Sequence, residues 1–454
     1  MSAAAPSVAV LDLGKTNTKF LVVNTAGDIL HRARLAPTWV MQDGLRVLDD
    51  AAIEGWLRDC LAQTATTLDI GGLIVSGHGC TVAVAGADDL AVPVLDYEQD
   101  MPPDVAARID PNLPPFAESL TPWMAGLASY GRQLLWLYDR DPTLLGRTAH
   151  ILAYPQFWGW RLGGGAWGEC SYLGCHSHMW NPLTRDYSSL VTRMGWRDKM
   201  PPLRRAGDVI GELSVSGRGC DVPAGIALHN GIHDSNAALA LHRAGAADGF
   251  TLVSSGTWVV IMNPGCPVSA MAAERDMLCN VDIDANPVPT VRFMGGREYE
   301  VISKGWRGDI PRAAFEQVIA DRMMALPSFA EGGLFHGRAG RLTHEVSGAV
   351  GAAVAVLYVA MMTDLGLDMI HCGGPVVVDG GLVRIPGYGA LLAQLRNGQL
   401  VLASDEAEGS AKGAALLAFR ARGLSLRPAS LSPFASQNFA GLEAYRDVWR
   451  AAVV

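Results

Sequence analysis

The chain has 454 residues, a formal net charge of −9, and 49% apolar against 18% charged residues. This length favours two or more domains, and the composition is that of a globular rather than a disordered protein. No lysine- and arginine-rich run marks a nucleic-acid surface, the apolar stretch at residues 348–362 falls short of a membrane span, and neither a signal peptide nor a CxxC pair is evident. We therefore expect a cytoplasmic enzyme with reduced thiols and with neither a nucleic-acid nor a membrane partner.

The first elements predicted along the chain form a strand–turn–strand unit. Residues 8–13 read as a buried strand, residues 14–17 as a tight turn, and residues 18–24 as the returning strand, because apolar and β-branched residues flank a glycine. Three further elements follow: a strand near residues 29–30, a helix over residues 51–61 and a buried strand at residues 73–76. This order predicts helices packed against a mixed sheet.

The segment Asp12-Leu-Gly-Lys-Thr-Asn17 carries groups that are suited to a phosphate. Gly14 lets backbone N–H groups approach an anion, and Lys15, Thr16 and Asn17 add donors. Asp12, at the end of the strand, can hold a hydrated Mg²⁺ ion. An ordinary hairpin with a polar tip explains this segment equally well, so both interpretations stay open at this point.

A similar pattern begins again after residue 230. Its elements are, in order, a helix at residues 231–241, a strand at residues 250–254, the turn Ser255-Gly-Thr257, a strand at residues 258–262, a strand at residues 375–379 and a helix at residues 409–422. The recurrence predicts a distant structural duplication, with the domain boundary at residues 224–230.

The two glycine turns, one in each half, favour phosphate binding by both. Gly256 and Thr257 repeat the first arrangement, and two such turns could clamp a triphosphate from both sides. Gly380 and Gly381, at a strand end, would let a flat base or a ribose approach the backbone. For the small residues 413–415 in the following helix, close packing is the favoured explanation.

Asp234, within Gly231-Ile-His-Asp-Ser-Asn236, is the candidate catalytic base. An aspartate at the start of a helix is first of all a capping residue. Its position at the domain boundary, just ahead of the second phosphate turn, favours chemistry instead, because a carboxylate there can accept the proton of an attacking sugar hydroxyl. Phosphoryl transfer passes through a loose transition state, so a weak base that is well positioned is sufficient.

With these motifs in order along the chain, the sequence resembles the FGGY carbohydrate kinases. Ser76-Gly-His-Gly79 resembles the sugar-side loop of that family, and Glu169-Cys-Ser171 resembles its E-x-S motif. The resemblance implies an α/β fold of two RNase H-like domains of the actin/hexokinase type with an interdomain active-site cleft. It assigns sugar binding to residues 1–228 and nucleotide binding to residues 229–454. It also implies ATP and Mg²⁺ as cofactors, with the metal near Asp12 and Asp234.

Within the family, His233-Asp234 and Ser254-Ser-Gly-Thr-Trp258 look most like rhamnulokinase-like and fuculokinase-like members, which phosphorylate 6-deoxy-L-ketohexoses at O1. By that resemblance the sugar site would contain His78, Gly79, Tyr97, Glu98, His233 and Asp234. Trp158 and Trp258 would supply an apolar wall for the methyl group. Three alternatives remain: a pentulose or polyol kinase, a regulatory sugar-binding protein, and an actin- or Hsp70-like ATPase that acts as a binding protein. We expect a monomer or homodimer.

Overall fold

A computed structural model describes residues 6–124, 126–214, 225–245, 249–435 and 437–453. The chain divides into two compact units. Unit 1 contains Met1–Ala244, Cys279–Pro287 and Gly409–Pro428, and unit 2 contains Gly245–Leu278, Val288–Glu408 and Ala429–Val454. This division at Ala244 differs from the predicted boundary at residues 228 and 229. One end of the predicted boundary segment, Ala224, lies outside the described residues.

The secondary structure of the described residues is mixed. In chain order the strands are β1 (Ser7–Leu13), β2 (Thr18–Asn24), β3 (Ile29–Leu35), β4 (Trp39–Gln42), β5 (Leu45–Leu48), β6 (Ile70–Gly77), β7 (Val82–Ala85), β8 (His150–Ala153), β9 (Trp180–Asn181), β10 (Asp186–Tyr187), β11 (Val209–Glu212), β12 (Ala227–His233), β13 (Thr251–Ser255), β14 (Val259–Met262), β15 (Leu278–Val281), β16 (Pro287–Phe293), β17 (Ala325–Leu326), β18 (Arg341–Leu342), β19 (Val376–Gly380), β20 (Val401–Ser404) and β21 (Leu431–Pro433). The α-helices are α1 (Asp50–Ala65), α2 (Pro103–Ile109), α3 (Phe116–Ser119), α4 (Tyr130–Arg140), α5 (Leu144–Arg147), α6 (Tyr154–Arg161), α7 (Cys170–Leu173), α8 (Ser189–Arg193), α9 (Asp234–Arg243), α10 (Gly295–Ser303), α11 (Arg312–Ala320), α12 (Gly348–Met369), α13 (Tyr388–Leu395), α14 (Gly409–Ala421) and α15 (Leu442–Val453).

Unit 1 is built on a six-stranded sheet in the order β11-β12-β6-β1-β2-β3. The strands β1, β2 and β3 form an antiparallel meander, whereas β6 runs parallel to both β1 and β12. All seven residues of β1 are buried, which explains why its sequence is a continuous apolar run rather than an alternating one. The predicted hairpin of β1 and β2 is confirmed, with β2 at the predicted residues.

The helix α14 completes unit 1 from a distant part of the chain. It packs against α9, and a Cβ atom at Gly413 would lie 1.9 Å from the carbonyl oxygen of Ala237. Only a residue without a side chain allows this approach, so the packing role that was predicted for residues 413–415 is confirmed at Gly413. The contact between these two helices also explains why the structural boundary follows α9 instead of preceding it.

Unit 2 contains a second sheet, in which its strands run in the order β16-β14-β13-β19-β20-β21. The pairs β13–β14 and β14–β16 are antiparallel, whereas β13–β19 and β19–β20 are parallel. The second predicted hairpin, at β13 and β14, is therefore confirmed. Each unit thus presents a hairpin joined to parallel strands, as the predicted duplication requires.

Two predicted elements are corrected. Residues 231–233 belong to the strand β12, and the helix begins only at Asp234. The apolar stretch at residues 348–362 is part of α12, whose 22 residues make it the one helix in the described part of the chain that is long and apolar enough to cross a membrane. Its most apolar window is 94% buried inside the protein. Its position in the core of unit 2 accounts for this composition.

Candidate active site

Three parallel strands of unit 1 end at the same edge of the sheet. In the register of β6 with its two parallel neighbours, Gly77 lies opposite both Leu13 and His233. The N–H group of His78 donates to the Leu13 carbonyl at 3.0 Å and so joins two of these strand ends. Side chains at the carboxyl ends of parallel strands share one edge of the sheet. The predicted residues that meet at this edge are Asp12, His78 and Asp234.

Asp234 is the first residue of α9, and the N-cap position before it belongs to His233. Its Oδ1 atom accepts hydrogen bonds from the Ser235 N–H at 2.6 Å and from the Ser235 hydroxyl at 3.2 Å. Burial raises the pKa of Asp234, while the charges of His78 and Lys19 and the Ser235 hydrogen bonds act in the opposite direction. Because 29% of the side chain is exposed, the carboxylate contributes to the helix start and still faces solvent.

His233 is engaged on both ring nitrogens. Nδ1 lies 3.1 Å from Nδ2 of Asn236, and Nε2 lies 3.3 Å from Sγ of Cys175. Oδ1 of Asp234 also lies 3.2 Å from Nε2. Burial lowers the pKa of His233 to about 3, so the ring is neutral at physiological pH. Both ring nitrogens thus have partners within the protein, and the direct contact between His233 and a sugar hydroxyl stays a prediction.

Lys15 lies in a cluster of charged and aromatic side chains rather than extending from the turn. Its ammonium pairs with Asp96, lies 3.6 Å from Glu98, and sits 3.7 Å from the ring centroid of Trp39. The side chain of Asp96 is fully buried and also accepts a hydrogen bond from Nε of Arg46 at 2.5 Å. These contacts use the Lys15 ammonium to neutralise Asp96, and the phosphate contact of Lys15 stays a prediction.

The other predicted sugar residues lie beside this cluster. The ring centroid of His78 is 5.4 Å from that of Tyr97 and 5.2 Å from that of Tyr154. The Lys15 ammonium lies 4.9 Å from the Tyr97 ring centroid, and the side chain of Glu98 is 54% exposed. Burial lowers the pKa of His78. Nδ1 lies 2.6 Å from the Gly79 carbonyl oxygen, so in the neutral ring Nδ1–H donates to that oxygen and Nε2 is left as an acceptor.

Gly79, Trp158 and Trp258, which were predicted to lie at the sugar site, have different surroundings in the structure. A Cβ atom at Gly79 would lie 2.8 Å from the His176 ring, so glycine is required there for close packing. Trp158 is 0% exposed in the core of unit 1, and its predicted place in an apolar wall is therefore corrected. Trp258, in unit 2, is half-buried, with the guanidinium carbon of Arg292 at 4.7 Å from its ring centroid.

Glycine closes the turn that follows β1. The Gly14 N–H donates to the Asn17 carbonyl at 3.1 Å, and a Cβ atom at Gly14 would lie 2.7 Å from the same oxygen. The N–H group of Gly14 itself is therefore used inside the turn, and phosphate binding by this turn stays a prediction. Thr16 and Asn17, at the tip, are exposed and carry the donors that a phosphate could reach.

In unit 2 the predicted nucleotide residues lie on two neighbouring turns. Because β13 and β19 are parallel, Ser255 lies opposite Gly380, and the turns that follow them are adjacent. The Ser255 hydroxyl donates to the Asp379 carbonyl at 2.5 Å and accepts from the Leu382 N–H at 3.0 Å, which joins the turns. The four residues brought together in this way are Gly256, Thr257, Gly380 and Gly381.

The carboxylates predicted near a metal have the chemistry that Mg²⁺ requires. This ion usually binds one or two protein carboxylates together with waters and substrate phosphates. Among the described residues there is no cluster of three or more His, Cys, Asp or Glu side chains that could hold a metal ion. Asp12 is 8% exposed, and its Oδ2 lies 3.6 Å from Nζ of Lys19. Asp12 and Asp234 therefore fit an ion that arrives with the nucleotide.

Several residues of the site could not be predicted from the sequence. Asp96 immediately precedes Tyr97, so an acidic group in that segment could have been found, but its pairing with Lys15 depends on the tertiary fold. The motif that contains Asn236 does not by itself indicate a role for this residue. In unit 2, a Cβ atom at Gly296 would lie 2.2 Å from the Gly256 carbonyl oxygen, which places the start of α10 directly against the second turn.

Comparison with known proteins shows similarity to carbohydrate kinases. A family model described as "Carbohydrate kinase FGGY, C-terminal domain" matches residues 247–427. The L-fuculokinase of Salmonella typhi is 25% identical over 354 residues, covering 72% of this chain and 71% of that protein. The L-fuculokinase of Escherichia coli K12 is 26% identical over 323 residues, covering 67% of each.

Solved structures extend this similarity to the fold. The crystal structure of a carbohydrate kinase from Novosphingobium aromaticivorans has a TM-score of 0.87 and 32% identity, covering 100% of this chain and 99% of that one. The xylulose kinase from Lactobacillus acidophilus has a TM-score of 0.81 at 14% identity, with 98% and 96% covered, and so shares the fold alone. The predicted α/β class, with two domains of the actin/hexokinase type, is confirmed.

Proposed function

Because the chain belongs to the FGGY carbohydrate kinases and is an ATP-dependent sugar kinase, we propose that it phosphorylates O1 of a 6-deoxy-L-ketohexose with Asp234 as the base. The observation that carries this role is the placement of the Asp234 carboxylate where three parallel strands end. Membership of this family displaces the alternative of an actin- or Hsp70-like binding protein.

In the proposed reaction Asp234 accepts the proton of the attacking hydroxyl. Ser235 holds the Oδ1 atom through its N–H and hydroxyl groups, so the second carboxylate oxygen is directed to the substrate. The raised pKa makes this group a stronger proton acceptor than an ordinary aspartate. We propose that orientation and basicity together allow Asp234 to act during a loose phosphoryl transfer.

We propose that unit 1 binds the sugar. Lys15 offers donors and Glu98 offers acceptors to hydroxyl groups, and Nε2 of the neutral His78 ring can accept a hydrogen bond from one. Tyr97 and Trp39 supply flat apolar surfaces beside them. The buried pairing of Lys15 with Asp96 would hold this polar set rigid, which favours discrimination between hydroxyl patterns.

We propose that unit 2 binds the nucleotide. The exposed turn residues Gly256 and Thr257 would donate to phosphate oxygens, and Gly380 and Gly381 would accept the adenosine against the backbone. Thr16 and Asn17 are the phosphate donors proposed in unit 1. Asp12 and Asp234 would hold a Mg²⁺ ion, which when bound neutralises phosphate charge.

The substrate proposal is supported by the L-fuculokinases of Salmonella typhi and Escherichia coli, which are 25% and 26% identical to this chain. The solved kinases that resemble it also include xylulose, gluconate and glycerol kinases, at 12–19% identity. These share the fold alone. A pentulose or polyol kinase is therefore the second candidate.

A side-by-side assay of ADP release tests this assignment. L-Fuculose and L-rhamnulose are compared with D-xylulose, D-ribulose, gluconate and glycerol, each with ATP and Mg²⁺. We expect the highest kcat/KM for one of the two deoxyketoses, because a pocket that fits the methyl group should discriminate by about 10–200-fold. A higher kcat/KM for a pentulose, gluconate or glycerol would refute the substrate and leave the kinase assignment intact.

A further inference from the structure

We propose that Arg46 is a positioning residue of the sugar site, which fixes the ammonium of Lys15 by holding the carboxylate of Asp96 that lies between them. The inference rests on the proposed function, in which Lys15 binds the sugar. Arg46 belongs to the hairpin of β4 and β5, to which no sequence motif assigns a role. The proposal therefore makes this hairpin part of the apparatus that recognises the sugar.

Backbone hydrogen bonds join the hairpin to the segment that contains Asp96. The Asp96 N–H donates to the Arg46 carbonyl at 2.9 Å, and the Leu48 N–H donates to the Val94 carbonyl at 2.9 Å. The Gln99 amide closes the same contact, since its Oε1 accepts from the Arg46 N–H at 3.1 Å and its Nε2 donates to the Arg46 carbonyl at 2.9 Å. These bonds use only the backbone of Arg46, so they remain when its side chain is replaced.

The two oxygens of the Asp96 carboxylate are divided between two cations. Oδ1 accepts from the Lys15 ammonium and, at 2.9 Å, from the Glu98 N–H. Oδ2 accepts from Nε of Arg46 at 2.5 Å and also pairs with Nη2 of the same guanidinium. The Asp96 side chain is 0% exposed, so bulk water cannot replace a cation that is lost from either oxygen.

Arg46 thereby determines where the ammonium of Lys15 lies. Two N–H groups of a planar guanidinium hold Oδ2 and prevent rotation of the carboxylate, so Oδ1 is the oxygen left for Lys15. Of the two cations only Lys15 remains when Arg46 is removed, and it can then pair with either oxygen. It would leave its place 3.7 Å from the ring centroid of Trp39 and 4.9 Å from that of Tyr97. The proposed donor to a sugar hydroxyl would be displaced.

The first test compares replacements of Arg46 in the full chain. We expect Arg46→Met to raise the KM for sugar about tenfold with the KM for ATP unchanged, because only a sugar donor is displaced. Arg46→Lys keeps the charge without the planar pair of donors and should recover part of this loss. Arg108→Met, at a side chain that is 52% exposed, is the matched control and should change neither constant. An equal rise in both KM values for Arg46→Met, or no rise for sugar, would overturn the proposal.

A second background distinguishes positioning from direct contact with the sugar. In Asp96→Asn the carboxylate that links Arg46 to Lys15 is gone, and adding Arg46→Met then leaves no unpaired carboxylate at this position. We expect the sugar KM of the double variant to stay within about twofold of that of Asp96→Asn alone. A further rise of about tenfold would mean that Arg46 binds the sugar itself, which would overturn the proposal.

A spectroscopic measurement separates this inference from the proposed function. The NMR signal of the methylene group next to the Lys15 ammonium should be shifted by the Trp39 ring, and its absence in Lys15→Met identifies it. In Arg46→Met this signal should move to the position of an ordinary lysine, and an unchanged signal would overturn the proposal even in an active enzyme. If the wild-type protein releases no ADP with any sugar, the proposed function fails instead, while the spectrum still decides whether Arg46 positions Lys15.

Discussion

At Asp234 the protein keeps a carboxylate where burial raises its pKa above the ordinary value of 3.8. A raised folded-state pKa means that the protonated form is favoured by folding. The stability from this group is therefore fully present below the unfolded-state pKa and is lost as pH rises through the folded-state pKa. At neutral pH the ionised Asp234 carboxylate therefore destabilises the folded state. Groups that serve function often lower stability in this way.

Replacing Asp234 by asparagine should separate activity from stability. We expect Asp234→Asn to lower sugar-dependent ATP turnover by about 10²–10⁴-fold and to raise the melting temperature at neutral pH, with the stability gain vanishing at acidic pH. ADP release and thermal unfolding across pH measure the two effects. Asp447→Asn, at a side chain that is 70% exposed, is the control and should change neither. A melting temperature that falls would show that the carboxylate serves mainly the helix start.

Lys15 and Thr16 are neighbours in sequence, but we propose that Lys15 binds the sugar and that Thr16 binds phosphate. Lys15 pairs with Asp96 and lies over Trp39, whereas Thr16 is exposed at the turn. We expect Lys15→Met to raise the KM for sugar roughly tenfold, because a donor and the partner of a buried carboxylate are both lost. Thr16→Val should instead raise the KM for ATP. Initial-rate kinetics with each substrate varied would contradict the assignment if Lys15→Met affected ATP alone.

The sequence could identify some of these residues because their chemistry is local. Asp234 follows from its place in a short motif, and Gly256 and Thr257 follow from a turn between two strands. The partner of Lys15 could not be predicted, because Asp96 lies far along the chain and only the tertiary fold brings the two together. The engagement of His233 depends in the same way on the Ser171 carbonyl, which orients Asn236.

Gly380, the last residue of β19, and Gly381, which follows it, form a matched pair for substitution. Gly380 has a φ of +88°, and a Cβ atom there would lie 2.0 Å from the Ser255 carbonyl oxygen, whereas at Gly381 the distance is 3.9 Å. We expect Gly380→Ala to reduce the free energy of unfolding by about 1–3 kcal/mol or more, and Gly381→Ala by less than about 1 kcal/mol. Denaturant unfolding measures both, and similar values would mean that β13 and β19 tolerate separation.

Helices and strands were predicted well where a turn separates them. They were predicted less well where the pattern of polar and apolar residues fits more than one element. The two hairpins were found because glycines separate apolar strands. Residues 231–233 were assigned to a helix, since the helical pattern of α9 continues backwards through them, yet they pair with β6. The run at α12 was underestimated because a helix buried on all sides has no polar face to mark its end.

The two units are each assembled from segments that are distant in sequence, and α14 is the clearest case. We expect Gly413→Ala to destabilise the protein by about 1–3 kcal/mol or more, because its Cβ atom would collide with the backbone of α9 at Ala237. Gly55→Ala, on the exposed side of α1 with no atom within 4 Å, is the control and should stabilise by about 0.5–1 kcal/mol. Thermal unfolding compares them; equal effects would argue against close helix packing.

The late position of α14 also has a consequence for synthesis on the ribosome. The residues of α9 that α14 covers are translated early, whereas residues 409–428 of the same unit follow most of unit 2. At about 5–20 residues per second, the nascent chain would carry an uncovered apolar helix face for on the order of ten seconds. Unit 1 can therefore reach its final packing only after residues 288–408 have emerged, so its folding must follow the translation of its neighbour although its chain begins first.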